Sequence, residues 1–194
     1  YLFEKRSRKG VTLADAQRLL KSRPFYGSVM VACGDADGLL GGLDRNYPDV
    51  LKPAIQVIGR DESAHCLVGC YMMSVKGKLM FLADATVNVY PDSRTLAEIA
   101  VQTAVIARRF GVNPRVAMLS FSNFGSSQKQ RTERLEEAIY LARELDPTLI
   151  IDGPMQGDTA LNPDIQSDYG FMSLDGPANV LICPNLASAN IAYK

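Results

Sequence analysis

Amphipathic segments with a helical period recur along the chain. The clearest is 96–110, whose apolar positions keep a 3.6-residue period between Pro91–Asp92 and Gly111. The periodicity of its apolar residues predicts a helix packed on more than one side, against either another subunit or the rest of its own chain. The other predicted helices are 12–21, which Thr12 caps, 49–58, 131–145 and one that opens within 185–194.

Short apolar runs between these segments predict strands. Residues 67–74 and 78–83 flank the turn sequence "VKGK" and are typical of a β-hairpin. The remaining predicted strands are 28–33, 116–120, 149–151 and 180–183.

Strands alternate with helices from Leu96 onward, which predicts an α/β fold. We expect a mainly parallel sheet layered by helices, with one antiparallel hairpin inserted. No Pro- or Ser-rich linker is present. If there are two lobes, the boundary lies near Tyr47 and Pro48, so that 1–47 belongs to a first α/β lobe and 48–194 forms the second.

Composition and charge narrow the class of protein. The 194 residues are 47% apolar, and the 21 Lys plus Arg balance the 21 Asp plus Glu. The zero net charge gives no reason to expect nucleic acid or an anionic membrane as a partner. No run reaches the length of a membrane span, and residues 1–10 lack the apolar core of a secretory signal. Because there is no initiating methionine, we expect a piece of a longer chain, and the cysteine usage described next predicts a cytoplasmic protein.

The four cysteines are Cys33, Cys66, Cys70 and Cys183. Three lie in apolar runs, which predicts buried, reduced thiols. His65 beside Cys66 and Cys70 raises the question of a metal site, but the spacing fits no common zinc pattern. We therefore expect no metal site here.

Four polar loops follow predicted strands: "GDADGLLGG", "SFSNFGSS", "DGPMQGD" and "PNLASAN". In open α/β sheets, ligands bind beyond the carboxyl ends of the strands. Glycines allow a ligand to approach the backbone, and free amides favour an anion. The loop 120–127 is thus a candidate anion-binding loop, with ordinary turn chemistry as the alternative.

Other motifs leave the reaction open. There is no GxGxxG, no P-loop and no GxSxG, so neither a nucleotide fingerprint nor a hydrolase elbow is present. The strand-end aspartates could include a general base or a metal ligand, or they cap helices and brace loops. They are Asp35, Asp37, Asp84, Asp152 and Asp158. The basic cluster Lys5, Arg6, Arg8 and Lys9 is either a solvated face or a phosphate clamp.

Several motifs together resemble a known family. In chain order they are "RKGVTLADA", "GDADGLLGG", "YPDVLKPAIQVIG", "ADATVNVYPDSRTLAEIA", "ARRFGVNPRVAMLSFSNFGS", "DGPMQGDTAL" and "GPANVLICPNLASANIAYK". This order is similar to that of the phosphate acetyl/butyryltransferase family over nearly the whole chain. "SFSNFG" and "YPDVLKPAIQVIG" resemble one branch, the C-terminal phosphotransacetylase-like domain of bacterial multimodular, NADP-dependent malic enzymes.

The resemblance implies a two-lobe α/β architecture related to isocitrate and isopropylmalate dehydrogenases. It also implies transfer of an acetyl group between coenzyme A and phosphate. In that reaction an aspartate takes the thiol proton, and a serine and an arginine stabilise the oxyanion. The family's catalytic Ser-Arg pair and aspartate lie downstream of the motif that matches "NIAYK", so no residue of this chain is assigned a catalytic role.

Two departures from the family pattern concern residues that are present. Lys52 stands where transferases usually carry Arg, which keeps the charge but loses the bidentate fork. Pro154 replaces the usual Glu of "DGE" and removes a carboxylate. Both departures weaken the expectation of transferase activity.

Three hypotheses follow from the resemblance. The first is a regulatory module of a malic enzyme that binds acetyl-CoA and aids assembly of a homo-oligomer, with NADP and a divalent metal only in the malic region. The second is an active phosphate acetyltransferase acting on acetyl-CoA or acetyl phosphate, and the third is a purely structural oligomerisation module. The expected ligand contacts are Arg6, Lys52, Ser122, Asn123, Gly125, Ser126, Asp158, Asn190 and Lys194.

Overall fold

The computed structural model describes residues 1–126 and 132–194. The chain forms two compact units, unit 1 (Tyr1–Ser63) and unit 2 (Ala64–Lys194). Packing therefore divides the chain after Ser63, whereas the sequence suggests a lobe boundary at Tyr47 and Pro48. The assignment of 1–47 and 48–194 to two lobes stays a prediction.

Unit 1 is built from helices around a small apolar core. The helices are α1 (Leu2–Arg6), α2 (Leu13–Leu19), α3 (Arg23–Cys33) and α4 (Tyr47–Val57), with a 3₁₀ turn at Ser7–Lys9. Leu2, Ala16, Phe25 and Val57 form the buried core. Thr12 caps α2 as predicted, since its hydroxyl accepts from the Asp15 amide and the Asp15 carboxylate accepts in return.

The predicted strand 28–33 is wrong, because these residues form the second half of α3. A six-residue apolar run fits a buried strand and a buried helix equally well. The deciding signals lie outside the run: Pro24 in the first turn and Gly34, at φ 81°, just past the end. The loop "GDADGLLGG" consequently follows a helix and not a strand.

Unit 2 contains a five-stranded sheet in the order β1-β2-β5-β3-β4. The strands are β1 (Tyr71–Val75), β2 (Lys78–Ala83), β3 (Arg115–Leu119), β4 (Ile150–Met155) and β5 (Val180–Ile182). The helices are α5 (Ser93–Arg109), α6 (Glu133–Leu145), α7 (Gly157–Leu161), α8 (Pro163–Gln166) and α9 (Leu186–Ala192). The hairpin β1–β2 is antiparallel, and the pairs β2/β5, β5/β3 and β3/β4 are parallel. The predicted α/β class with a mainly parallel sheet is confirmed, and the dehydrogenase-like architecture stays a prediction.

Helices cover both faces of this sheet. Val116, Met118 and Ile182 point to the core under α5 and α6, while Ala117 and Leu181 face the opposite side. This alternation is the period-2 pattern of a strand that is buried on both faces. Ala100, Ala104 and Ala107 of α5 are fully buried in the same core, so the small residues of this helix pack inside the chain. The predicted start of α6 at Arg131 lies outside the described residues.

A β-bulge lies in β4, where the sequence predicts a loop. Ala117 pairs with Asp152 and Leu119 with Met155, so Gly153 and Pro154 together oppose Met118. The Gly-Pro pair is typical of a turn, which explains the wrong prediction. Gly153 has φ 132°, and a Cβ there would lie 2.6 Å from the Met118 carbonyl oxygen.

The prediction of buried thiols is only partly correct. Cys183 is buried and Cys66 and Cys70 are half-buried, but Cys33 is exposed at the end of α3. The apolar run that ends at Cys33 belongs to a helix with one side exposed to solvent, whereas the sequence predicted a buried strand. All four cysteines are free thiols.

Gly153→Ala should lower the free energy of unfolding by about 2 kcal/mol, because the left-handed φ and the Met118 carbonyl both oppose a Cβ. The matched control is Gly170→Ala, where a Cβ meets no atom within 4 Å. Urea denaturation of both variants measures the difference. Equal stabilities would show that the bulge is not formed as described.

Candidate functional site at the carboxyl ends of the strands

The carboxyl ends of four parallel strands lie along one edge of the unit 2 sheet. Val180 of β5 pairs with Phe81 of β2 and with Val116 of β3, which places the ends of all three strands side by side. The β4 strand pairs with β3 and ends at the same edge. The loops that follow β2, β3, β4 and β5 therefore share this edge, as expected for a ligand site in an α/β sheet.

The loops after β3 and β4 are joined by hydrogen bonds. The Gln156 amide donates to Asn123 Oδ1 (2.7 Å), and Asn123 Nδ2 donates to Gln156 Oε1 (3.1 Å). Gln156 Nε2 also donates to the Phe121 carbonyl oxygen (2.9 Å). Residues 120–126 and the turn at 156 consequently form one surface, as the strand order requires.

The backbone of the 120–126 loop turns sharply at Phe124 and Gly125. Phe124 has φ 44° and Gly125 has φ 75°, both in the left-handed region. This region is uncommon for a bulky side chain, so surrounding contacts must hold it. The Phe124 amide donates to the Pro154 carbonyl oxygen (2.7 Å) and ties the turn to the β4 bulge.

Two buried hydroxyls near these loops stand out in the part of the chain that the structure describes. The Oγ of Ser122 and the Oγ1 of Thr159 are buried and have none among the described residues. Ser122 is 7% exposed and Thr159 is 1% exposed. A buried hydroxyl without a partner costs free energy, which a bound ligand or an ordered water removes.

Two buried aspartates, Asp84 directly after β2 and Asp152 within β4, brace loops. The Asp84 carboxylate accepts hydrogen bonds from the amides of Gly69, Thr86, Val87 and Asn88. The Asp152 carboxylate accepts from the amides of Gly153 and Ser173. Their oxygens are occupied, which favours bracing over the general-base alternative. Asp35 and Asp37 are exposed in unit 1.

The other predicted contacts of unit 2 differ in their surroundings. Asp158 is exposed two residues beyond Gln156, and Asp158 Oδ1 accepts from the Thr159 amide (2.9 Å). Asn190 Nδ2 donates to the carbonyl oxygens of Ala85 and Leu186, so it braces the loop after β2. The Lys194 ammonium lies 5.8 Å from the centre of the Tyr193 ring. Hydrogen bonds thus join the 120s loop to Gln156, which directly precedes the helix α7 that carries Asp158, and among the described residues no hydrogen bond joins the loop to Asn190 or Lys194.

Arg6 and Lys52 belong to unit 1. Lys52 and Arg45 line a cavity of about 340 Å³ beside α4. Arg45 also lines a second cavity of about 580 Å³, together with Arg23 and the apolar side chains of Leu39, Leu40 and Leu43. Lys52, Arg45 and Arg23 form no ion pair among the described residues. The Nε of Arg6 is buried and has no hydrogen-bond partner in the same part of the chain.

The buried thiols are poor nucleophiles. Burial raises the pKa of Cys183 to about 12. Burial, with a smaller contribution from the Asp84 carboxylate, raises the pKa of Cys70 to about 11. Both thiols are therefore protonated near neutral pH. Within residues 1–126 and 132–194, no group of three or more His, Cys, Asp or Glu side chains is placed to hold a metal ion.

Sequence reasoning missed Gln156 and Arg45. Gln156 lies inside the loop "DGPMQGD". Its hydrogen bonds to the 120–126 loop depend on the register and the bulge of β4, which the local sequence does not indicate. Arg45 lies in "LDRNYP", three residues beyond the candidate loop "GDADGLLGG", and no local pattern marks it as a cavity-lining residue.

The whole chain, residues 1–194, matches the family model described as phosphate acetyl/butaryl transferase. The chain belongs to this family. It is 36% identical over 192 residues to a phosphate acetyltransferase of Corynebacterium glutamicum, covering 98% of this chain and 58% of the relative. It is 40% identical over 194 residues to an NADP-dependent malic enzyme of Escherichia coli, covering 99% of this chain and 26% of the relative.

Solved structures of the family share this fold. The EutD phosphotransacetylase from Staphylococcus aureus has a TM-score of 0.86 at 34% identity, covering 98% of this chain and 59% of that one. The chain thus spans about three fifths of the Corynebacterium glutamicum transferase and about a quarter of the Escherichia coli malic enzyme. None of the described helices is long and apolar enough to cross a membrane.

Asp84→Ala should lower the free energy of unfolding by about 3 kcal/mol, because four backbone amides lose their acceptor. Asp168→Ala, at an exposed carboxylate of the same unit, is the control. Thermal and urea unfolding compare the two variants. A stable Asp84→Ala variant would argue against the bracing role.

Proposed function

We propose that this chain is the phosphotransacetylase-like region of a malic enzyme, binds acetyl-CoA as a regulatory ligand and contributes to a homo-oligomer. The parent reaction would be the oxidation and decarboxylation of malate to pyruvate with NADP. NADP and a divalent metal would bind the malic region, and no residue of this chain is assigned to either.

One observation carries the proposal: the Ser122 hydroxyl, in a loop of the strand-end edge, is buried and has no hydrogen-bond partner among the residues that the structure describes. Family membership supplies the ligand class, an acyl-CoA or an acyl phosphate. A hydroxyl can donate to a phosphate or thioester oxygen, whereas the backbone amides of Phe124 and Ser126 already donate to the carbonyl oxygens of Pro154 and Asn123. Ser126 is exposed on the same turn, and its hydroxyl can also donate to such an oxygen.

The cations of unit 1 agree with an anionic ligand. Lys52 and Arg45 line one cavity together with Asp49, and Arg45 and Arg23 line another together with Asp44 and leucines, so cations outnumber carboxylates in both linings. Acyl-CoA carries phosphates and apolar portions, which matches this combination of cations and leucines. Arg6 and Lys52 remain our proposed phosphate contacts, and Arg45 is added to them.

Regulation is preferred over transfer because of two residues. Lys52 cannot form the bidentate phosphate contact of an arginine, and Pro154 provides neither a carboxylate nor an amide donor. Both changes are tolerable for binding and unfavourable for catalysis. Similarity to malic enzymes at 38–40% identity supports the same choice.

An active phosphate acetyltransferase is the second candidate. Transferases of Corynebacterium glutamicum and Bacillus subtilis match nearly the whole chain at 36% identity, which is specific support. In that case this chain would hold the acyl phosphate, while the base and oxyanion contacts would come from outside it. A purely structural module would bind no acetyl-CoA.

Two assays on the full-length protein that carries this chain separate these candidates. We expect malate oxidation with NADP to be inhibited by acetyl-CoA. We also expect Ser122→Ala to weaken acetyl-CoA binding about tenfold, because one hydrogen bond to a charged or polarised oxygen is lost. Ser74→Ala, at an exposed hydroxyl of β1, is the matched control.

The second assay measures acetyl-CoA formation from acetyl phosphate and coenzyme A. Activity here without malate oxidation would replace the first candidate by the second. Absence of any acetyl-CoA binding in calorimetry would contradict both and leave the structural role.

A further inference from the structure

We propose that Asn123 and Gln156 act as one positioning unit, the amide clamp, which holds Ser122 in the orientation that receives the ligand. The inference rests on the proposed function and deepens it. It also changes the role of Asn123 from a ligand contact to a residue that acts through its neighbour.

The bonds of the clamp lie on both sides of Ser122. Gln156 Nε2 donates to the carbonyl oxygen of Phe121, the residue before Ser122 (2.9 Å). The backbone amide and Oε1 of Gln156 bind the side chain of Asn123, the residue after it (2.7 and 3.1 Å). One glutamine thus fixes both flanking residues, and the position of the serine between them follows.

The side-chain amide of Asn123 has no hydrogen left for a ligand. Its two N–H groups donate to Gln156 Oε1 and to the Tyr169 hydroxyl (3.2 Å). Its Oδ1 already accepts from the Gln156 amide. In contrast, Ser122 is 7% exposed and its Oγ has no partner among the described residues. The hydroxyl, and not the amide, is therefore available to a ligand.

The turn beyond the clamp needs this support. Phe124 has φ 44°, a conformation that a bulky residue adopts only under constraint. Its ring packs against those of Tyr169 (5.1 Å between centroids) and Phe171 (4.9 Å). Because Tyr169 also accepts from Asn123, the clamp and the ring cluster hold the same turn from two sides.

The test uses the full-length protein that carries this chain, with Gln156→Met, Asn123→Ala and the double variant. Methionine keeps the length of glutamine without its hydrogen bonds. Asn113→Ala is the control, since this exposed asparagine precedes β3 at the opposite end of the strand. Calorimetry measures acetyl-CoA affinity, and hydrogen–deuterium exchange measures protection of the Phe124 amide.

We expect each single variant to bind acetyl-CoA about tenfold more weakly and to exchange the Phe124 amide about tenfold faster, from the loss of clamp hydrogen bonds. The double variant should lose little more than either single variant, since both belong to one unit. Tyr169→Phe removes one acceptor and keeps the ring, so it should fold normally and weaken binding about threefold.

The experiment distinguishes failure of the amide-clamp proposal from failure of the proposed function. If the wild type binds acetyl-CoA and the variants bind it equally well, the clamp is wrong and the proposed function stands. If the losses of the single variants add in the double variant, the two residues do not act as one unit. If the wild type binds neither acetyl-CoA nor inorganic phosphate, the proposed function falls, and the ligand role of the clamp falls with it.

Discussion

Parallel alignment of β2, β5, β3 and β4 is the constraint on which the candidate site of unit 2 depends. Parallel strands end at the same edge, so residues far apart in the chain meet there without any local sequence signal. The extra residue in β4 adjusts this edge, because the bulge at Gly153–Pro154 lets the Pro154 carbonyl accept from Phe124. The 120s loop is thereby attached to the neighbouring strand rather than left to its own turn chemistry.

Elements with many periodic apolar positions or with a strong turn signal were predictable from the sequence. The helix α5 and the hairpin β1–β2 were predicted at nearly their observed positions, and the meeting of the 120s and 150s loops followed from strand order. The structure of short apolar runs was not predictable. Residues 28–33 form a helix whose end signals lie outside the run. The sequence "DGPM" continues a strand through a bulge. Hydrogen-bonded pairs such as Asn123 and Gln156 depend on register, which no local pattern encodes.

The buried and half-buried polar groups of unit 2 divide into two roles. Asp84, Asp152 and Asn190 have their atoms committed to backbone groups, so they stabilise the loops that carry the site. The Oγ of Ser122 is buried and has no hydrogen-bond partner among the described residues, and the amide clamp accounts for how the serine keeps that position. Polar residues that the sequence offers as ligand contacts therefore differ in role, according to whether their side-chain atoms already have hydrogen-bond partners in the protein.

Hydrogen–deuterium exchange of the full-length protein, with and without saturating acetyl-CoA, tests the central claim most directly. We expect bound acetyl-CoA to slow amide exchange in two segments that are separated in sequence: the turn at 122–126 and the start of α7 after Gln156. Protection confined to other regions, with both segments unchanged by bound acetyl-CoA, would contradict it.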